Sequence, residues 1–199
     1  MEDIVYSKNR IIIFGDGDLA LELISFGKFN NSETSLISKL DESNLDYSKI
    51  DKSSRILLAY SDPKIKSRIS KKIVENKLIV SSFIHDSVLV GLNTTFGKGV
   101  IVFPYSIISN NSFIGDYCFI NCSCNIGHHS KIGEFSSIMS NTSISGHCEI
   151  GNHNYIGTNA NLIPNIKTEK NITIGVGSVV LKNLKKEGTY FGVPAIKII

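Results

Sequence analysis

The segment CNIGHHSKIGEF, residues 124–135, sets two adjacent histidines between two Ile-Gly pairs. A neutral imidazole can take a proton from a hydroxyl or an amine near pH 7, which few other side chains do at that pH. His128 and His129 are therefore the first candidates for acid–base chemistry. With His147 and His153 they are also candidates for holding a metal through nitrogen. A second candidate is GDGDLA, residues 15–20. Its glycines let a backbone approach a phosphate, and a helix N-terminus favours negative charge, although the same pattern also serves plain strand–helix packing. The four cysteines (Cys118, Cys122, Cys124 and Cys148) contain no Cys-x-x-Cys pair. Free thiols in a reducing, cytoplasmic setting are expected.

What positions these groups is written in the spacing around them. Stepping in sixes from Ile84 meets Val90, Phe96, Val102, Ile108, and so on through Ile126, Ile144 and Ile174 to Val180, with Thr168 as the one interruption. Two residues before these positions stand small residues such as Ser106, Cys124, Ser130 and Thr142, and a glycine often follows, as at Gly127 and Gly133. Six residues is too short for a hairpin or a helix pair but suits one flat side of a coil, a short strand and then a corner. Three sides make an 18-residue turn whose apolar residues point inward in columns, the turns stacking ~4.8 Å apart with parallel strand pairing. About five such turns are expected, with a looser coil at Thr168. The small residue is read as the place where the chain bends.

This geometry separates the histidines. The position three residues after an inward side chain often carries Asn, Gly or His, as at Asn93, Gly99, Asn111, His129, Asn141, His147, His153, Asn159, Asn165, Asn171 and Gly177. Asn, Gly and His tolerate positive φ, so His129, His147 and His153 have an explanation as corner residues. His128 lies two residues after Ile126, where no residue type dominates, and the corner rule does not account for it. His85, at the start of the coil, is expected to be structural.

Before residue 80 the pattern is different. Arg10–Phe14, Ser35–Ile37, Arg55–Tyr60 and Leu78–Val80 read as strands. Asp18 is expected to cap a helix ending at Gly27, and Asp62-Pro63 to start another with Ile65, Ile69 and Ile73 on one stripe. The chain thus divides into a small parallel, Rossmann-like α/β domain, residues 1–80, and a coil domain with a C-terminal tail, residues 81–199. Within 199 residues, a net charge of +3 gives no reason to expect nucleic acid, and no apolar run is long enough to span a membrane. The acidic, polar start MEDIVYSKNR does not read as a signal peptide.

The hexapeptide period, the preceding α/β unit and the ending GTYFGVPAIKI resemble the hexapeptide-repeat sugar acetyltransferases of bacteria, the group that includes sialic acid O-acetyltransferases and UDP-4-amino-sugar N-acetyltransferases. The resemblance implies a left-handed parallel β-helix, an acetyl-CoA co-substrate and a homotrimer with its active site between subunits. It also implies a role in bacterial glycan biosynthesis, such as that of lipopolysaccharide. Ile126-Gly127-His128 matches the family's general-base motif, and motif matching places cofactor contacts at Ser137, Gly146, Thr158 and Val176. The acceptor, a nucleotide-linked sugar, would meet Gly17, Asp18, Leu19 and Ser61. Where relatives follow the base with an acid, this chain has His129, so Glu134 and Glu149 are candidates to orient His128. A second family histidine falls at Ser137, and the acidic pair that holds the uridine falls near Ser38-Lys39.

N-acetylation of a nucleotide-linked amino sugar is therefore the leading expectation. The alternatives are O-acetylation of a sugar hydroxyl, or a β-helix that binds ligand or metal without acyl transfer. In the metal reading His129 and His147, 18 residues apart, stack one coil over the other, with His128 or His153 as third ligand.

Overall fold

Ile11–Gly15 (β1) is buried along its whole length, as an Ile-Ile-Ile-Phe run at the centre of a sheet requires. The computed structural model describes residues 10–15, 17–27, 29, 34–37 and 45–198; Ser38-Lys39 and most of the N-terminal decapeptide lie outside the described residues. Helix α1 (Gly17–Gly27) follows β1, then β2 (Thr34–Ile37), β3 (Arg55–Ala59), α2 (Pro63–Glu75) and β4 (Ile79–Val80). The four strands form one parallel sheet in the order β2-β1-β3-β4. Asp62 caps α2 as expected: its carboxylate accepts from the backbone N–H groups of Lys64 at 2.7 Å and Ile65 at 3.4 Å, and Pro63 occupies the first turn. Asp18 is not a cap. It lies inside the first turn of α1, where its charge still suits the helix dipole.

The coil begins at Phe83 and keeps the six-residue period. The first face is an eight-stranded sheet whose inward residues include Val102, Ile120, Ile138 and Ile156; the second is six-stranded, with Val90, Ile108, Ile126, Ile144, Leu162 and Val180; the third is four-stranded, with Phe96, Ile114, Ile132 and Ile150. Ile126 pairs with Ile144 and Ile132 with Ile150, one turn of coil apart. Apart from Val90, which is exposed in the first turn, these side chains form one continuous apolar core, with Phe96 packed against it. There are about six turns, more than the five expected, because the stack continues past Val180: Gly188–Phe191 pairs on Ile172–Ile174.

Every third residue after an inward position, from Asn93 to Gly177, has φ between 54° and 66°. The corner rule holds for His129, His147 and His153. It also holds at Tyr105, Tyr117, Ser123 and Phe135, whose types give no hint of it. There the stacked coil imposes a conformation costing roughly 1–2 kcal/mol on an ordinary residue. The small slot also does more than let the chain bend. Ser130 Oγ donates to the Ser145 carbonyl at 3.0 Å and accepts from Cys148 N at 3.1 Å, and Ser106 and Ser136 staple their coils in the same way. At the interrupted rung Thr168 is buried and isolated bridges replace a strand, Lys167 to Glu149 on one side and Thr168 to Leu184 on the other. Asn154, in the small slot one coil below, completes the loosened rung: its amide bonds Thr168 Oγ1 at 2.5 Å and Ile172 N at 2.8 Å.

The α/β sheet lies against the first face of the coil. Ile11, Ile13, Ala20 and Leu23 share a core with Ile101, Phe103 and Phe119. Tyr117 joins Ile69 and Ile73 on the other side of the sheet. Lys66 of α2 is fully buried at this junction, its Nζ donating to Ser137 Oγ at 2.7 Å and to the Ser136 carbonyl at 3.1 Å. Burial pushes its amine down from the usual lysine range to about 7. Between about 7 and 10.5 the unfolded chain therefore holds a proton that the folded chain has shed, so this lysine makes stability rise with pH across that window. Below the window both states are charged and the full burial penalty stands. Urea unfolding at pH 7 and pH 9 is expected to show this gain, of about 2 kcal/mol, in the native chain and not in Lys66→Met.

Candidate active site

His128 and His129 stand at the corner between the second and third faces, the corner opposite the face that the α/β sheet covers. Both rings are exposed. They differ because the chain turns at His129: its positive φ of 59° makes it the corner residue, while His128 precedes the turn. The backbone of His128 accepts from His147 N at 2.8 Å, which fixes its height in the stack. Above it is Gly146. A Cβ at Gly146 would fall 2.8 Å from His128 Cε1 and 2.9 Å from Nε2, so the absence of a side chain makes the space that this edge of the imidazole fills. Gly127 is needed for the same reason: a Cβ there would meet Gly146 N at 2.4 Å. The Gly146 N–H has no hydrogen-bond acceptor among the described residues.

His128 Nδ1 lies 3.1 Å from His129 Nδ1, and His129 Nε2 lies 3.3 Å from Asn111 Nδ2 one coil below. Asn111 Oδ1 accepts in turn from Asn93 Nδ2 at 3.1 Å. With the amides so turned, Asn111 donates to His129, His129 Nδ1–H donates to His128, and the His128 proton sits on Nε2. Turning the two amides over reverses the chain: His128 Nδ1–H donates to His129 and the Nε2 lone pair is free. The Asn93–Asn111–His129 column thus couples amide orientation to the tautomer of His128. The 18-residue register from His129 back to Asn111 was a usable signal for this link.

The acids considered as orienters do not reach. Glu149 pairs with Lys167 at 2.9 Å on the third face, and Glu134 lies beside Tyr117 and Phe135 near α2. His153 is stacked on Phe135 at 4.9 Å, and His85 is wedged against Phe26 and Phe83. Neither joins the His128 cluster. An open groove of about 500 Å³ runs down from the histidines along the second face, lined by Ser109, Asn110 and Asn111 and by the outward Leu89 and Ile107.

The other sequence-derived positions are spread over the molecule. Ser137 is buried at 0% exposure beneath α2 with its hydroxyl on Lys66, so it offers a cofactor no surface; it is a junction residue. Thr158 and Val176 stack on the corner between the first and second faces, Val176 exposed and Thr158 half-buried, with Gly177 N bonding the Thr158 carbonyl at 2.9 Å. Gly17, at φ 60° with open space around its Cα, and Asp18 are exposed at the start of α1, and Ser61 is half-buried before α2. Leu19 packs into the core between sheet and coil. Gly15 serves packing, since a Cβ there would lie 2.7 Å from Ala20 Cβ and 2.9 Å from Ala59 Cβ.

The cysteines are all free, and burial raises each thiol, Cys118 and Cys124 to about 12. They are poor nucleophiles. Among the described residues no helix is long and apolar enough to cross a membrane.

Within the three-sided parallel β-helix, residues 129–164 match the family model described as bacterial transferase hexapeptide (six repeats). The fold of the whole chain is that of PerB from Caulobacter crescentus, solved with CoA and GDP-perosamine: TM-score 0.84 at 22% identity over 95% of this chain and 97% of that one. It is shared with the acetyltransferase domain of PglB from Neisseria gonorrhoeae (TM-score 0.67, 16% identity, 96% and 100% coverage). WeeI from Acinetobacter baumannii is also similar, with TM-score 0.69 at 16% identity over 96% and 100% of the two chains.

Proposed function

We propose that this chain transfers the acetyl group of acetyl-CoA to the amino group of a nucleotide-linked amino sugar destined for a bacterial glycan. The observation that carries the reading is the pairing of an exposed imidazole with an unused backbone donor one coil above it, at His128 and Gly146. The sugar amine attacks the thioester carbonyl directly. With the Asn93 and Asn111 amides turned so that the Nε2 lone pair is free, His128 Nε2 takes the proton the nitrogen sheds, and we assign the Gly146 N–H as the donor to the developing oxyanion. The C–N bond forms, the C–S bond breaks, and the proton passes to the CoA sulfur. Raised, buried thiols agree with a route without an acyl-enzyme.

One chain does not hold the whole site. Its α/β sheet covers the first face, and His128 occupies the opposite corner, so the acceptor positions Gly17, Asp18 and Ser61 cannot serve the imidazole of their own chain. Thr158 and Val176, the proposed CoA contacts, stand on a different corner as well. A neighbouring copy brings the missing parts, which supports a homotrimer with sites between subunits. The apolar outward residues of the second face, Leu89 at 64% and Ile107 at 40% exposure, suit such a covered surface.

The test is thiol release from acetyl-CoA in the presence of UDP-, GDP- and dTDP-linked amino sugars. Release with at least one of them is expected. Turnover confined to sugar hydroxyls moves the chemistry to O-acetylation, and no turnover with any acceptor removes acyl transfer.

A further inference from the structure

We infer that His128, His129 and His147 form a zinc site on each chain, and that zinc bound there switches the proposed base off. One nitrogen from each ring lies within 4.8 Å of the others, and all three side chains are exposed. Two nitrogens on one tetrahedral zinc, each ~2.0–2.1 Å from the metal, stand about 3.4 Å apart. His128 Nδ1 and His129 Nδ1 already stand 3.1 Å apart, close to that spacing, so a shared cation can take the place of the proton that one ring donates to the other. His147 stacks on His129 with ring centroids 4.8 Å apart and only 6° between planes, so it needs a swing of its exposed ring to complete the set. With its amide turned so that Oδ1 faces His129 Nε2, where Nδ2 now stands at 3.3 Å, Asn111 can accept the Nε2 proton and leave His129 Nδ1 for the metal, the usual outer-sphere arrangement for a ligating histidine.

Three neutral imidazoles with no carboxylate in the cluster favour zinc, nickel or copper over magnesium or calcium. The cluster arises from two local facts. His129 stands beside His128, and the corner column, which repeats every 18 residues, carries histidine in two successive coils. His153, the other third ligand considered, is excluded by its place on another corner.

Binding stands on this geometry alone; the loss of activity rests on the acyl-transfer reading. The variant to use is His147→Asn. Asparagine occupies the same corner position at residues 93, 111, 141, 159 and 165 with the same positive φ, so the fold accepts it. Untagged, chelator-treated protein is titrated with zinc chloride by calorimetry. One zinc per chain is expected, with affinity at least tenfold weaker in His147→Asn and no binding of magnesium. Thiol release from acetyl-CoA should fall at least tenfold when the site is filled in the native chain and hold in His147→Asn, whose activity without zinc is unchanged. Far less than one zinc per chain, or equal affinity in the variant, overturns the site. Zinc bound as described with full activity overturns the switch. Zinc bound as described by a chain that releases no thiol with any acceptor leaves the site standing and removes the acyl-transfer reading instead.

Discussion

Replacing His128 with alanine lowers kcat/KM for acetyl transfer about 10²–10⁴-fold, the usual worth of a positioned general base. The native midpoint of thermal unfolding is retained. The ring is exposed, it belongs to no core cluster, and its stack is held by the backbone bond from His147 N rather than by the imidazole. A surface substitution of this kind changes stability by about 0.5 kcal/mol or less. KM for acetyl-CoA is expected to change little, which separates loss of proton transfer from loss of binding. Gly146→Ala is the companion variant. Its Cβ would sit 2.8 Å from His128 Cε1, so the ring must move while remaining present. The expected result is a smaller fall in kcat than in His128→Ala, with KM for acetyl-CoA little changed. Wild-type turnover in His128→Ala would take the base assignment away from this residue, whatever the fold.

The β-helix was legible because its rule is a strict period. Ile126, Ile144 and Leu162 share a column for no reason except their spacing, and the same count put His129 over Asn111 and under His147. The α/β unit was legible from local chemistry: Asp62-Pro63 begins α2 by capping, and Ile69 and Ile73 end up buried. What remained hidden lies between the two parts. A period says which side chains point inward and nothing about what covers the outside of a face. Ser137 is an outward residue and reads as surface, yet α2 seals it and Lys66 bonds it. Lys66 lies three residues before Ile69 and seven before Ile73, on the inward side of α2, and is buried for the same reason. At the proposed site, the sequence singled out His128 by its failure to fit the corner rule. It could not give the His128–His129 contact, because the turn at His129, not the order of residues, brings the two Nδ1 atoms together. Tyr117 and Phe135 show the opposite limit. They adopt positive φ against their own preference, since the coils above and below leave no other path.

Ile144→Asp abolishes cooperative folding, whereas Ser143→Asp, one residue away, leaves a folded chain. Ile144 is 1% exposed and stacked between Ile126 and Leu162, with aliphatic side chains above, below and across the prism. Among the described residues the one buried basic side chain is Lys66, which is held at the α2 junction on Ser136 and Ser137 and not in that core. The substitution forfeits the burial of an isoleucine, ~1.5–3 kcal/mol, and either strands a charge or forces its protonation, at a further cost of several kcal/mol. The sum approaches the ~5–15 kcal/mol that stabilises a whole domain. Ser143 precedes Ile144 in the same two-residue strand and points the other way, half-exposed, so its aspartate stays hydrated. Circular dichroism during urea unfolding reads both: a sigmoid near the native midpoint for Ser143→Asp, and none for Ile144→Asp. The reverse outcome would mean that the strand is shifted by one residue. Because side chains alternate across a strand, such a slip would carry every inward column outward. It would also displace the corner that holds His128 over Asn110 and under Gly146, so the same pair of variants tests the geometry on which the chemistry depends.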